Sequence, residues 1–161
     1  MNTSILPTYN RAPLAFERGE GSWLFTNNGD GYLDMGAGIA VNALGHSNSE
    51  LVDALTSQAN KLWHVSNLYE IPEQQRLAEL MVDTTFADNV FFTNSGTESC
   101  ELAVKMVRKF WYEKGQGERV EIITFEGSFH GRSSAGIAAG GSEKLTKGFG
   151  PLLPGLSLIH I

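Results

Sequence analysis

Apolar residues change their spacing along this chain, and the changes divide it into elements. Up to residue 46 they come in short aromatic and aliphatic runs: Leu14-Ala15-Phe16-Glu17-Arg18, Ser22-Trp23-Leu24-Phe25-Thr26 and Tyr32-Leu33-Asp34-Met35. Gly19-Glu20-Gly21 and Asn27-Asn28-Gly29-Asp30-Gly31 separate the runs, which predicts a small antiparallel meander with Asn-Gly and Asp-Gly supplying positive φ at the turns. The opening to about Tyr9 is polar, contains proline and reads as an arm laid over another surface. From Ser49 the spacing becomes helical, with Leu51, Leu55, Ala59 and Leu62 on one face and Ser47 or Ser49 as N-cap. A loop over His64–Tyr69 follows. Pro72 suits the first turn of a second helix, whose apolar face is Leu77, Leu80 and Met81 and which ends near Asp83.

Asp88–Thr93 is a compact β run that leads straight into Asn94-Ser95-Gly96-Thr97. Leu102, Ala103, Met106, Val107, Phe110 and Trp111 then mark one side of a long helix, closed near Gly115 and Gly117, before a second strand over Val120–Phe125. Strand, helix and strand with a connection of this length predict a right-handed βαβ unit and a parallel sheet. The fold class is therefore α/β, with a small α+β segment over residues 1–70 and the start of a mainly parallel-sheet domain over 71–155.

Composition narrows the function. The 161 residues are 42% hydrophobic and 19% charged, as in globular proteins, and no apolar run approaches the ~20 residues that span a bilayer. Met1–Pro7 lacks the basic and apolar parts of a secretory signal, which makes the cytoplasm the expected location. Net charge is -6 with twelve scattered Lys and Arg residues, so no basic stripe is available for nucleic acid. The single cysteine, Cys100, reads as a packing residue of the long helix rather than a nucleophile. His46, His64, His130 and His160 are too widely separated for helical metal-ligand spacing, and no metal is expected.

Two stretches carry chemistry, and each sits where a predicted strand gives way to a turn, the place where ligands gather in parallel sheets. In Asn94-Ser95-Gly96-Thr97-Glu98, backbone N–H groups at a helix start, with the hydroxyls of Ser95 and Thr97 beside them, form an anion cradle suited to phosphate. The same letters spell a capping box, Ser95-x-x-Glu98, worth only about 1 kcal/mol of helix stability. In Ser128-Phe129-His130-Gly131-Arg132 a ring precedes a planar guanidinium; Phe129 suits a stacked planar cofactor or an ordinary core, and Arg132 a carboxylate or a surface ion pair.

These stretches and three others occur in an order that strongly resembles the N-terminal part of the acetylornithine aminotransferases, class III enzymes that use pyridoxal phosphate. The others are Phe16–Leu24, Ala37–His46 and Lys61–Tyr69, and the resemblance runs from about Tyr9 to Gly155. It implies a fold-type I transferase and a cofactor phosphate held by Gly96 and Thr97 with Ser95 beside them. It further implies that Phe129 stacks on the pyridine ring and His130 shapes the ring pocket. Arg132 would grip the α-carboxylate of acetylornithine, glutamate or 2-oxoglutarate, and Gly38 would leave room for an N-acylated side chain. The complete protein would be a homodimer of arginine biosynthesis. The resemblance places the lysine that carries the cofactor and the aspartate on its ring nitrogen beyond residue 161, so no catalytic residue is expected here and the chain alone should be inactive. Residues 156–161 depart from the pattern and read as a truncated or misjoined end. Relatives using succinyldiaminopimelate, succinylornithine or 4-aminobutyrate, and a non-catalytic phosphate-binding or dimerisation module, are the alternative readings.

Overall fold

Residues 4–160 are described by the structure, a computed structural model. Three residues of the expected arm, Met1–Thr3, and the final residue of the expected tail, Ile161, lie outside the described residues. The chain divides into two compact units, Met1–Gln74 and Gln75–Ile161.

In the first unit, β1 (Phe16–Glu20), β2 (Trp23–Thr26) and β3 (Gly31–Leu33) form the antiparallel meander, in the order β1-β2-β3. Register runs Glu20 opposite Trp23 and Trp23 opposite Leu33. Aromatic side chains bind the strands together: Phe16 meets Tyr32 edge to face with centroids 5.5 Å apart, and the Arg18 guanidinium lies 3.7 Å from the Phe25 ring centroid. Only one of the two predicted turn glycines has positive φ. Gly29 sits at 89° in the turn, whereas Gly31 belongs to β3, because Thr26 N–H donates to Asp30 O at 3.0 Å and closes the loop before Gly31.

After β3 the chain makes α1 (Ala37–Ala40), a single helical turn wound left-handed, with φ of 44° at Ala37, 64° at Gly38, 63° at Ile39 and 60° at Ala40. For residues with a Cβ this hand costs about 1–2 kcal/mol each, so neighbouring contacts must hold it. Next, α2 (Ser49–Ala59) is capped by Asn48 rather than by Ser47 or Ser49. Asn48 Oδ1 accepts Leu51 N–H at 3.2 Å, while the Ser47 hydroxyl is already committed to Gly19 O at 2.8 Å.

The unit boundary falls in the first turn of α3 (Pro72–Thr84). In the second unit follow α4 (Gly96–Glu113), β4 (Ile122–Phe125), α5 (Ser134–Gly140), α6 (Glu143–Thr146) and β5 (Leu156–Ile159). The strand expected at Asp88–Thr93 is not there: no described residue pairs with Val90–Thr93, and β propensity without a ladder neighbour leaves an extended segment. The parallel pair is instead β4 with β5, in a register from Ile122 opposite Leu156 to Phe125 opposite Ile159. Residues 156–159, within the end that departs from the pattern of the resemblance, supply the second strand of this sheet.

Between these strands lies α5, unanticipated because Ser-Ala-Gly-Ile-Ala-Ala-Gly has two glycines and no amphipathic stripe. Burial on all sides explains it, for Ala135 to Gly140 are all buried and Ala135, Ile137, Ala138 and Ala139 form the best-covered core. Elsewhere apolar faces stay open, including Leu77, Leu80 and Met81 of α3. Among the described residues no helix is long and apolar enough to cross a membrane.

Candidate functional site

At the start of α4, Ser95 is extended, with φ -159° and ψ 160°, and its Oγ accepts Glu98 N–H at 3.2 Å. Glu98 reaches back, and its Oε2 accepts Asn94 N–H at 2.7 Å and Asn94 Nδ2–H at 3.0 Å. This is the capping box shifted by one residue, since the usual box takes the N–H of the cap itself. Capping therefore occurs, and it leaves room for the second reading. The N–H groups of Gly96 and Thr97 have no partner within the helix, and they stand at the positive end of an 18-residue dipole. Where a Gly96 Cβ would stand, nothing lies within 4 Å. Open space, two outward N–H groups and the Thr97 hydroxyl make a cradle that an anion can enter.

The second stretch follows β4, and the structure seats it against the first. Gly131 is buried at φ 94°, and a Cβ there would lie 2.3 Å from Thr97 Oγ1 and 2.9 Å from Thr97 Cβ. Only glycine permits that approach. Beneath the turn, α5 offers a glycine groove: a Cβ on Gly136 would stand 2.5 Å from His130 O, and one on Gly140 2.7 Å from Ser128 O. Gly136 and Gly140 were not singled out from the sequence as parts of the site, although two glycines four apart in a helix signal a close neighbour.

Side chains of the turn point to several tasks. The Ser128 hydroxyl donates to Phe125 O, which spends its only proton, so the Ser128–His130 contact at 2.9 Å requires the imidazole Nε2–H to donate to Ser128 Oγ. His130 also lines an apolar cavity of about 240 Å³ walled by Cys100, Val104, Ile122, Ala135 and Ala139. Phe129 is 67% exposed, an open ring on a turn that is otherwise anchored, and Arg132 is exposed three residues beyond it. Ser95, Gly96, Thr97, Phe129, His130 and Arg132 are thus gathered at two touching turns. Gly38 belongs to the first unit, exposed in the left-handed turn.

The first unit holds a pair that spacing alone did not reveal. Asp34 Oδ2 and His46 Nε2 are 2.7 Å apart, with side chains 12% and 20% exposed. The His46 hydrogen bond, and after it the Ala37 N–H, holds the Asp34 carboxyl below its ordinary value of 3.8. Twelve residues separate the two side chains, and no single helix or strand contains both.

The profile of the family described as aminotransferase class III matches residues 5–161. An acetylornithine aminotransferase of Rhodobacter capsulatus is 74% identical over 161 residues, all of this chain and 40% of that protein. One of Agrobacterium fabrum is 56% identical over 96% of this chain and 39% of that protein. Among solved structures, the ornithine aminotransferase of Toxoplasma gondii superposes with a TM-score of 0.92 at 25% identity, over 98% of this chain and 38% of that one. An (S)-enantioselective omega-transaminase of Thermomicrobium roseum gives 0.85 at 33% identity, over 99% and 37%. The chain thus spans about 40% of the length of the curated relatives it matches. The fold is that expected from the sequence, the N-terminal part of a fold-type I transferase. On the family profile, the identities and the superpositions together, this chain belongs to the class III aminotransferases.

Proposed function

We propose that this chain is the N-terminal part of an aminotransferase that moves the δ-amino group of N2-acetyl-L-ornithine to 2-oxoglutarate with pyridoxal phosphate, in arginine biosynthesis. The observation that carries the reading is the contact of Thr97 with Gly131, which fixes an anion cradle beside an exposed aromatic ring. The residues fit such a cofactor: the cradle has empty space at Gly96, and Phe129 offers a face for a planar ring. In this reading Gly96 and Thr97 N–H, with the Ser95 and Thr97 hydroxyls, bind the phosphate, Phe129 stacks on the pyridine ring, and His130, fixed by Ser128, shapes the pocket wall. Arg132 presents its planar fork to the α-carboxylate shared by acetylornithine, glutamate and 2-oxoglutarate. Gly38 leaves room for the N-acyl group. When bound, the cofactor supplies the electron sink for amino transfer. The same reading makes the complete protein a cytoplasmic homodimer.

The test is a donor panel with the complete enzyme. Acetylornithine should be favoured over succinylornithine, succinyldiaminopimelate and 4-aminobutyrate, and preference for another donor replaces the substrate. Arg132→Lys keeps the charge and loses the fork, so kcat/KM for acetylornithine and for 2-oxoglutarate should fall together, by about 10–100-fold. A loss confined to one of them refutes the role of Arg132. The 161-residue chain alone should show no amino transfer; robust turnover would mean that one of its own lysines serves the reaction.

A further inference from the structure

We propose that Asp34 and His46 are positioning residues: together they hold the left-handed turn Ala37–Ala40, and with it Gly38, in the shape that admits the amino donor. This rests on the reading of Gly38 as a substrate contact, and it concerns a pair of side chains to which that reading gives no part.

The turn is strained. Three of its residues carry a Cβ at positive φ, Ala37 at 44°, Ile39 at 63° and Ala40 at 60°. A segment needed only to join β3 to α2 would relax to the right-handed region, and such outliers persist where surrounding contacts over-determine them. Asp34 supplies those contacts at the entry. Its Oδ1 accepts Gly36 N–H at 3.0 Å and Ala37 N–H at 2.8 Å, the two donors that lead into the turn. Its Oδ2 is held by His46 Nε2 at 2.7 Å.

His46 in turn is fixed to the meander. Gly21 N–H donates to His46 O at 3.0 Å, and His46 N–H donates to Gly21 O at 2.7 Å. Force therefore passes from the β1–β2 connection through His46 to Asp34 and then to the turn. Within the turn, Ile39 N–H and Ala40 N–H both donate to Gly36 O, at 2.8 Å and 3.0 Å, and Val41 N–H donates to Ala37 O at 2.8 Å. Those bonds set the hand only while Gly36 and Ala37 stay where Asp34 puts them. A small cavity of about 180 Å³, bounded by Ser22, Asp34, Asn42 and His46, lies beside the clamp. The outer surface of the turn is free of the first unit, with Ile39 94% exposed. One side of the turn is thus anchored and the other is presented.

Four variants of the complete enzyme test this. Asp34→Ala and His46→Ala remove the clamp; Asp34→Asn keeps an acceptor for Gly36 and Ala37, and His46→Gln keeps an N–H toward Asp34. The alanine variants should raise KM for the donor amine about tenfold, with kcat and the KM for 2-oxoglutarate within about threefold, and the conservative variants should recover most of the loss. In parallel, amide exchange at Ile39–Asn42 should quicken about tenfold in Asp34→Ala while amides of α4 keep their rates. Unchanged exchange in the turn overturns the proposal, and so does a loss shared by kcat and both KM values. A wild-type enzyme that does not use acetylornithine overturns the substrate reading alone, and the exchange rates then still decide the clamp.

Discussion

Two of the turns given parts in the proposed chemistry are held in opposite ways. Asn94–Glu98 enters α4 through extended and right-handed backbone, secured by side chains that satisfy a helix end, Ser95 on Glu98 N–H and Glu98 on Asn94 N–H. Gly36–Ala40 passes through four successive residues of positive φ, secured by a carboxylate and an imidazole drawn from elsewhere in its unit. The first turn would largely form in an isolated helix of good sequence; the second would not form without its neighbours. A ligand cradle at a helix start needs little support, because the helix already orients its free N–H groups. A turn that departs from the favoured hand keeps its shape only through side chains outside it.

The contrast can be strained hardest at Gly131. Gly131→Ala puts a methyl into Thr97 Oγ1 and forces positive φ on a residue with a Cβ, so it should destabilise the protein by about 2–4 kcal/mol and abolish cofactor retention. Thermal unfolding and pyridoxal phosphate titration of the complete enzyme measure both; wild-type values would dissolve the link between the start of α4 and the Ser128–Arg132 turn. A gentler change separates binding from stability in the first turn. Gly96→Ala with Thr97→Val should weaken pyridoxal phosphate binding about tenfold while leaving the melting temperature nearly unchanged, since the alanine methyl enters empty space. Binding as tight as wild type would remove the cradle assignment.

Glycine should act with opposite sign at the two turns. Ile39→Gly relieves a side chain at φ 63° that is 94% exposed, and it should stabilise the protein by about 1 kcal/mol; Thr97→Gly in the first turn of α4 should destabilise it by several tenths or more. Chemical denaturation of the pair reads the difference, and a loss at Ile39 would deny that the turn is strained. Acid should have the smallest effect. Hydrogen bonds from His46 and Ala37 hold the Asp34 carboxyl below 3.8, so between its folded and unfolded values the native state binds fewer protons and stability rises with pH. The clamp is at full strength above about pH 4 and weakens as pH falls through the folded value. Protection of the Ile39–Asn42 amides, taken relative to their intrinsic exchange rates at each pH, should therefore fall on acidification, and Asp34→Asn should remove that dependence.

Much of this arrangement was legible because it is local. The meander, α2, α3 and α4 follow from spacing and turn residues within each segment, and so does the cap at Ser95. Non-local pairing was illegible. Val90–Thr93 has the composition of a strand and no partner, while Leu156–Ile159, read as a departure, is a strand because β4 offers an edge. The handedness of Ala37–Ala40 was hidden because alanine and isoleucine do not advertise positive φ. The seat of the Ser128–Arg132 turn lay in glycines of a helix that only burial makes stable.

The parallel pairing of β4 with β5 also has a consequence for synthesis. The meander and its closing bridge at Gly21 and His46 can assemble once His46 has emerged, whereas β4 waits for Ile159. Thirty-four residues separate Phe125 from Ile159, so at about 5–20 residues per second β4 waits roughly 2–7 s for its partner. During that wait the nascent chain carries a β4 edge whose partner has yet to be translated, and this interval is when the growing polypeptide would most depend on chaperones.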